Sequence, residues 1–139
     1  MKIKGLILML IISLSLFGFC SCGDKNTADE TTTVVIKNYE QITPEEAKNI
    51  MDTQKGFVII DARTQSEFDE GHIEGAILIP EYEITARAEE EIPDKDTLIL
   101  VYCRSGRRSK IASEALIELG YTNVKEFGGI IDWQYEIVK

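Results

Sequence analysis

The sequence predicts an α/β fold in which a central, mainly parallel sheet is covered by helices on both faces. From about residue 34 to residue 139, short apolar runs of strand length alternate with segments whose apolar residues recur at helical spacing. The apolar runs are continuous rather than alternating with polar residues, which is typical of parallel strands buried on both faces. No internal repeat or second linker interrupts this stretch, so we assign residues 37–139 to one domain.

The first 21 residues have the pattern of a signal peptide. A short basic start precedes an almost wholly apolar stretch, Gly5 to Phe19, which is too short to span a bilayer comfortably. The segment resembles a bacterial lipoprotein signal, whose first mature residue is a cysteine that carries lipid. Cys22 follows the small Ser21 and fits this pattern better than Cys20, which follows a bulky phenylalanine. An uncleaved N-terminal anchor helix and a simple secreted protein are the alternatives.

Residues 22–36 are polar and are predicted to form a flexible tether. Together with lipid on Cys22, the tether predicts an exported protein anchored to the outer face of the bacterial cell membrane. The chain has a formal net charge of -9; removing residues 1–21 removes two lysines and no acid, which leaves 13 basic against 24 acidic residues and a net charge of -11. This acidic balance argues against nucleic-acid binding.

The predicted domain begins with a strand and a capped helix. Residues 39–42 predict a short edge strand. Thr43 then has the position of an N-cap, with Pro44 in the first turn and Glu46 closing a capping box. The helix is predicted to end by Gly56, and its inward-facing residues are Ala47, Ile50 and Met51.

The later elements continue the alternation. The further predicted strands occupy residues 57–60, 76–79, 98–102 and 124–127. The further predicted helices occupy residues 66–70 and 82–91 and the segment after residue 106. Pro80 and Pro93 interrupt the chain after the second of these strands and the second of these helices, and Gly120 ends the last helix as a C′ glycine. The apolar face of that last helix is predicted to contain Ile111, Ala112, Ala115, Leu116 and Leu119.

A thiol lies at the C-terminal end of the predicted strand 98–102. Ligand sites of open α/β sheets form at this edge. The loop after Cys103 leads into a helix, so its backbone N–H groups and the positive end of the helix dipole suit an anion. Gly106 permits a tight turn and a close approach of ligand to backbone. The predicted substrate-binding loop consists of Arg104, Ser105, Gly106, Arg107, Arg108 and Ser109.

These surroundings predict that Cys103 is a reactive nucleophile. A free thiol with a pKa of about 8.5 is only ~3% ionised at pH 7. If the loop and its three arginines lower the pKa by roughly 2 units, about 75% of the thiol is ionised. The alternative is a buried structural cysteine followed by a solvated basic turn. We favour the reactive thiol because three arginines so close together indicate an anionic ligand.

Other residues are predicted to shape the site from outside the loop. His72, the only histidine, is expected to fix a turn through backbone hydrogen bonds, with a Cys–His catalytic pair as the alternative. Asp61 and Arg63 either face the site or form a structural ion pair, such as Arg63 with Glu67. Trp133 is expected in the core or as a lid. No pattern for a metal or a cofactor is recognisable, so neither is predicted.

Several stretches taken together resemble the rhodanese domain, over about residues 39 to 137. They are Asp61-Ala62-Arg63, Glu67-Phe68, Gly71 to Ala76, Ile79-Pro80, Tyr102 to Ser109, and Gly128-Gly129 with Trp133. The resemblance implies a rhodanese-like α/β domain with a five-stranded sheet and sulfurtransferase chemistry. Cys103 would attack the outer sulfur of a thiosulfate-like donor and become a persulfide. A thiol or cyanide-like acceptor would then take that sulfur.

The length of the loop separates this resemblance from related enzymes. Dual-specificity phosphatases and arsenate reductases use cysteine, five residues and then arginine. Here Ser109 occupies that position and Arg108 comes one residue sooner, which resembles the shorter loop of sulfurtransferases. The alternative to an enzyme is an exported persulfide carrier or redox-sensing module without multiple turnover. The expected partners are a small anionic sulfur donor and a thiol or cyanide-like acceptor, and the expected oligomeric state is a monomer.

Overall fold

The structure is a computed structural model that describes residues 38–139. The predicted signal peptide at residues 1–21, the predicted lipidation site Cys22 and the predicted tether at residues 22–36 lie outside the described residues. Within residues 38–139, no helix has the length and apolar character that crossing a membrane requires.

A five-stranded, all-parallel sheet forms the centre of the domain, which confirms the predicted fold class. Its strands are β1 (Glu40–Gln41), β2 (Phe57–Asp61), β3 (Ala76–Leu78), β4 (Leu98–Cys103) and β5 (Val124–Gly129). They lie in the order β1-β5-β4-β2-β3, so β1 is an edge strand as predicted and β4 is central. The strand that carries Cys103 is therefore paired on both sides.

Helices cover both faces of the sheet. They are α1 (Pro44–Thr53), α2 (Gln65–Glu70), α3 (Ile84–Glu91) and α4 (Arg107–Glu118), with short 3₁₀ helices at Glu81–Glu83 and Ile130–Asp132. On one face, α3 and α4 pack against the sheet through a core that includes Ile60, Ile84, Val101 and Leu116. On the other face, α1 packs through a second core that includes Ala47, Leu100 and Phe127.

Both of the first two helices begin with a capping box. In α1, the Thr43 N–H donates to Glu46 at 2.8 Å and the Glu46 N–H donates to the Thr43 hydroxyl at 3.1 Å, which confirms the predicted helix start. Thr64 and Glu67 repeat this arrangement at the start of α2, which the sequence analysis missed. The Thr-x-x-Glu spacing was present there too, but the helix is only six residues long.

The predicted apolar face of α4 is wrong at Ile111, whose side chain is 43% exposed. The residues that α4 buries are Ser109, Ala112, Ser113 and Leu116. The Ser109 hydroxyl donates to Glu126 on β5 at 2.6 Å, and this polar contact fixes the first turn of α4 against the sheet. Ile111, two residues further on, consequently points towards solvent.

The last strand contains a bulge beside Cys103. Val101 pairs with Glu126, whereas Cys103 pairs with Gly129, so β5 has one residue more than β4 between these two pairs. Gly128 has a φ of 88°, a backbone conformation that favours glycine. A Cβ atom on Gly129 would lie 2.1 Å from the carbonyl oxygen of Arg104, so glycine is required there for the loop to lie against β5.

Candidate active site

Cys103 is the last residue of β4, at the carboxyl edge of the sheet, and its side chain is 1% exposed. The loop turns back over the thiol at Gly106, where a φ of 94° suits glycine. This turn brings the Gly106 N–H to 3.0 Å from Cys103 Sγ, where it donates a hydrogen bond. The thiol therefore lies at the base of a cradle made of backbone.

The pKa of the Cys103 thiol is lowered from its ordinary value. Burial acts in the opposite direction and is the largest single influence, but hydrogen bonds together outweigh it. The groups that lower it are the Ser109 hydroxyl, whose short hydrogen bond at 2.6 Å goes to Glu126, and the backbone N–H groups of Ser109, Ser105 and Gly106. We predicted contributions from the loop backbone and from arginine charge, and the main lowering influences are hydrogen bonds rather than arginines.

Arg108 is held in place by a bidentate ion pair with Glu67. Its two terminal nitrogens donate to the two carboxylate oxygens of Glu67 at 2.7 and 2.8 Å. The hydrogen bonds from Arg108 lower the pKa of Glu67 to about 2, with further bonds from Thr64 acting in the same direction. The predicted pairing of Glu67 with Arg63 is wrong, because Arg108 binds the Glu67 carboxylate instead.

The other two loop arginines, Arg104 and Arg107, are exposed. Within residues 38–139 neither takes part in an ion pair. Ser105, between them, is exposed as well. The rim of the cradle therefore presents positive charge to solvent, although the chain as a whole is acidic.

Arg63 pairs with Asp61 instead, in a buried network. The Arg63 guanidinium donates to the Asp61 carboxylate at 2.6 to 3.1 Å and to the carbonyl of Gly71 at 2.8 Å. The Tyr102 hydroxyl donates to Asp61 at 2.5 Å and accepts the N–H of Ile73 at 3.1 Å. Burial and the neighbouring Asp61 carboxylate raise the pKa of Tyr102.

This network lies on the sheet face opposite to the thiol. Tyr102 and Cys103 are consecutive in β4, so their side chains project to opposite faces, and Asp61 pairs directly with Tyr102. Asp61 and Arg63 thus support the ends of the strands rather than line the cradle. Tyr102 was named in the sequence analysis only as part of a motif, because its partners are distant in the chain.

His72 and Trp133 also make contacts away from the cradle. The His72 ring stacks on Phe68 with centroids 3.6 Å apart, and its Nδ1 lies 2.9 Å from the Phe68 carbonyl oxygen. No hydrogen bond joins His72 to Cys103 among the residues that the structure describes. Trp133 packs against Phe127 and Tyr135, on the α1 face of the sheet.

Glu126 is a site neighbour that the sequence analysis missed. Its side chain is 3% exposed, and its Oε1 accepts hydrogen bonds from the Ser109 hydroxyl at 2.6 Å and from the Gly128 N–H at 2.9 Å. The available signal was the acid in the predicted strand 124–127, directly before the bulge. Within residues 38–139, no group of three or more His, Cys, Asp or Glu side chains is placed to hold a metal ion.

The comparisons with known proteins agree with this geometry. The family model described as the rhodanese-like domain matches residues 43–136. Thiosulfate sulfurtransferase PspE of Escherichia coli is 42% identical over 73 residues, which cover 52% of this chain and 70% of that protein. Thiosulfate sulfurtransferase GlpE of Haemophilus influenzae is 32% identical over 97 residues, which cover 69% of this chain and 89% of that protein.

A solved structure, described as a rhodanese with anions from E. coli, has the same fold. It superposes with a TM-score of 0.56 at 40% sequence identity and covers 59% of this chain and 96% of its own. The family match spans well over half of the sequence. The chain therefore belongs to the rhodanese-like domain family and is a rhodanese-type sulfurtransferase.

Proposed function

We propose that this sulfurtransferase moves sulfane sulfur from a thiosulfate-like donor to a thiophilic acceptor through a persulfide on Cys103. The observation that carries the proposal is the hydrogen bond from the Gly106 N–H to Cys103 Sγ, at the base of a loop with two exposed arginines. The N–H group stabilises the thiolate, and the arginines attract an anionic donor towards it.

In the first half-reaction, the Cys103 thiolate attacks the outer sulfur of thiosulfate. The bond between the two donor sulfurs breaks, and its electron pair leaves with sulfite. The products are a Cys103 persulfide anion and sulfite, so the total charge is unchanged. The N–H groups that face Sγ also suit the persulfide, because its negative charge lies on the outer sulfur within the same loop.

In the second half-reaction, an acceptor nucleophile attacks the outer sulfur of the persulfide. Cyanide leaves as thiocyanate, and a thiolate leaves as a new persulfide. The electron pair of the broken sulfur–sulfur bond returns to Cys103 as the thiolate. The factors that lower the pKa of Cys103 assist this step, because they make the thiolate a better leaving group.

The exposed positive charge of the arginines around Cys103 indicates that the sulfur donor is an anion. Arg104 and Arg107 flank the mouth of the cradle, and Arg108 is oriented beside it by Glu67. Two similar proteins carry thiosulfate sulfurtransferase in their names, and one similar structure is described with anions. These observations favour a small anion such as thiosulfate over a neutral donor.

Intact-mass measurement of the full-length protein tests the persulfide. After reduction, incubation with thiosulfate should add one sulfur, about 32 Da, and cyanide should remove it. Tryptic mapping should place the addition on the peptide from Asp96 to Arg104. The Cys103→Ala variant is the control, since it retains the N-terminal cysteines. Absence of any gain on that peptide would contradict the proposed donor or the proposed nucleophile.

Turnover separates an enzyme from a carrier. With excess thiosulfate and cyanide, an enzyme releases many thiocyanate molecules per chain, and the reaction follows ping-pong kinetics. Release that stops after one sulfur per chain would instead favour the persulfide carrier or redox-sensing module.

We also propose that the protein acts outside the cytoplasm, attached to the membrane through lipid on Cys22. The basic and apolar pattern of residues 1–21 and the Ser21-Cys22 pair support this proposal. Radiolabelled fatty acid should be incorporated into the expressed protein and not into its Cys22→Ala variant. Equal labelling of the two, or none in either, would contradict lipidation at this residue.

A further inference from the structure

Glu126 is a buried carboxylate without a cation beside it. Its side chain is 3% exposed, and no ion pair within residues 38–139 includes it. Two donors hold it, namely the Ser109 hydroxyl at 2.6 Å and the Gly128 N–H at 2.9 Å, and both bond to Oε1. Burying an unpaired carboxylate is costly even when it is hydrogen-bonded. The sulfur-transfer steps described above assign it no role.

The carboxylate lies close to the nucleophile, with Gly106 between them. The Gly106 N–H is 3.0 Å from Cys103 Sγ. A Cβ atom built on the same glycine would lie 3.8 Å from Glu126 Oε1. Both side chains are almost fully buried. Two buried negative charges repel each other more strongly than two exposed ones at the same distance, because little water screens them.

Ser109 connects the two groups. Its hydroxyl is completely buried, donates to Glu126 at 2.6 Å and is one of the groups that lower the pKa of the thiol. A hydroxyl has only one hydrogen to donate, so it serves one acceptor well at a time. The 2.6 Å distance to Oε1 is typical of a charge-assisted O–H···O⁻ bond, which is stronger than a bond to neutral sulfur. The hydroxyl hydrogen therefore points to Glu126.

On the basis of the proposed role of Cys103, we propose that Glu126 is a positioning residue of the sulfur-transfer site, which draws the Ser109 hydroxyl away from the Cys103 sulfur and opposes negative charge there. Backbone N–H groups then carry most of the stabilisation of the thiolate. Glu126 thus disfavours ionisation of the Cys103 thiol. The other charged groups around the thiol are Arg104 on the loop, Arg107 and Arg108 at the start of α4, Glu67 on α2, which pairs with Arg108, and Glu81 near Arg108.

The Glu126→Gln variant tests whether Glu126 disfavours ionisation of the Cys103 thiol. It removes the charge and keeps an oxygen that can accept from Ser109 and Gly128. The measurement is the rate of alkylation by iodoacetamide against pH, read on the tryptic peptide that contains Cys103. The midpoint should fall by about 1 pH unit, which gives about tenfold more thiolate at pH values below the midpoint. The control is Glu114→Gln on α4, which removes an exposed carboxylate and should leave the midpoint unchanged.

A midpoint that is unchanged or higher in a folded Glu126→Gln protein would overturn the proposal, because a purely structural Glu126 moves only the unfolding transition. Ser109→Ala gives a second test that does not depend on how Glu126 variants fold. If the hydroxyl serves Glu126, the midpoint should move by less than about 0.3 pH unit, whereas a hydroxyl that serves the sulfur predicts a rise of about 1 unit and refutes the proposal. Alkylation needs no sulfur donor, so these results stand even if thiosulfate fails to load Cys103.

Discussion

Replacing Glu67 by glutamine should weaken the link between α2 and the segment that follows Cys103. The pKa of Glu67 is about 2, against an ordinary 4.5, mainly because Arg108 donates two hydrogen bonds to it. A shift of this size corresponds to roughly 3 kcal/mol before solvent screening is considered. The two side chains are 17% and 24% exposed, so solvent screening reduces the expected loss of folding free energy to about 1–2 kcal/mol.

The pKa of Glu67 determines how the stability difference between the wild type and Glu67→Gln changes with pH. The pKa of Glu67 is lower in the folded state than in the unfolded state, so the ion pair stabilises the fold fully above about pH 5. The stabilisation is lost as the pH falls from there through about 2, where folded Glu67 takes up a proton. The difference in stability between the wild type and Glu67→Gln should therefore be largest near neutral pH and shrink in acid.

Urea unfolding at several pH values between about 2.5 and 7 measures this difference. The matched control is Glu70→Gln, an exposed acid of the same short helix, which should change stability by less than about 0.5 kcal/mol at any of these pH values. Equal losses of unfolding free energy in the two variants would refute the idea that the Glu67–Arg108 ion pair stabilises the fold. A loss in Glu67→Gln that is as large at the lowest pH as at pH 7 would refute it as well.

Three further substitutions have expected outcomes. Gly129→Ala places a Cβ 2.1 Å from the Arg104 carbonyl oxygen, so it should lower the thermal midpoint by several degrees and abolish sulfur loading in the mass assay. Tyr102→Phe removes the hydroxyl that donates to buried Asp61, which should cost about 1–3 kcal/mol in urea unfolding while leaving the alkylation midpoint of the thiol in place. Arg107→Ala removes an exposed cation, so KM for thiosulfate should rise several-fold at low salt, and the difference should diminish as salt is added.

The sequence predicted the parts of this molecule that depend on local pattern. Continuous apolar runs identified β2, β3 and β4, and the spacing of Thr43 and Glu46 identified the start of α1. A cysteine at the end of an apolar run, followed by a glycine-containing basic loop, identified the candidate nucleophile. Each of these signals lies within a few residues of chain, so the physical requirement is visible without knowledge of the fold.

The errors concern contacts between distant segments. Arg63 and Glu67 are four residues apart and suggested a pair, but β4 and α4 bring Arg108 to Glu67 from 41 residues away. The role of Glu126 depends on the rotation of α4 against β5, which hydrophobic periodicity does not specify when Ser109 occupies the inward position. For the same reason Ile111 was assigned to the wrong face.

The bulge in β5 has a consequence for the size of the donor group that the cradle accepts. Because Gly129 leaves no space between β5 and the Arg104 carbonyl, the loop has a wall of main chain behind it and cannot retreat into the domain. The base of the cradle is therefore rigid, whereas Arg104 and Arg107 at the rim are solvent-exposed long side chains free to adopt other rotamers. We therefore expect the base of the cradle to be selective for the single transferred sulfur, and the rim to accommodate leaving groups of different shapes.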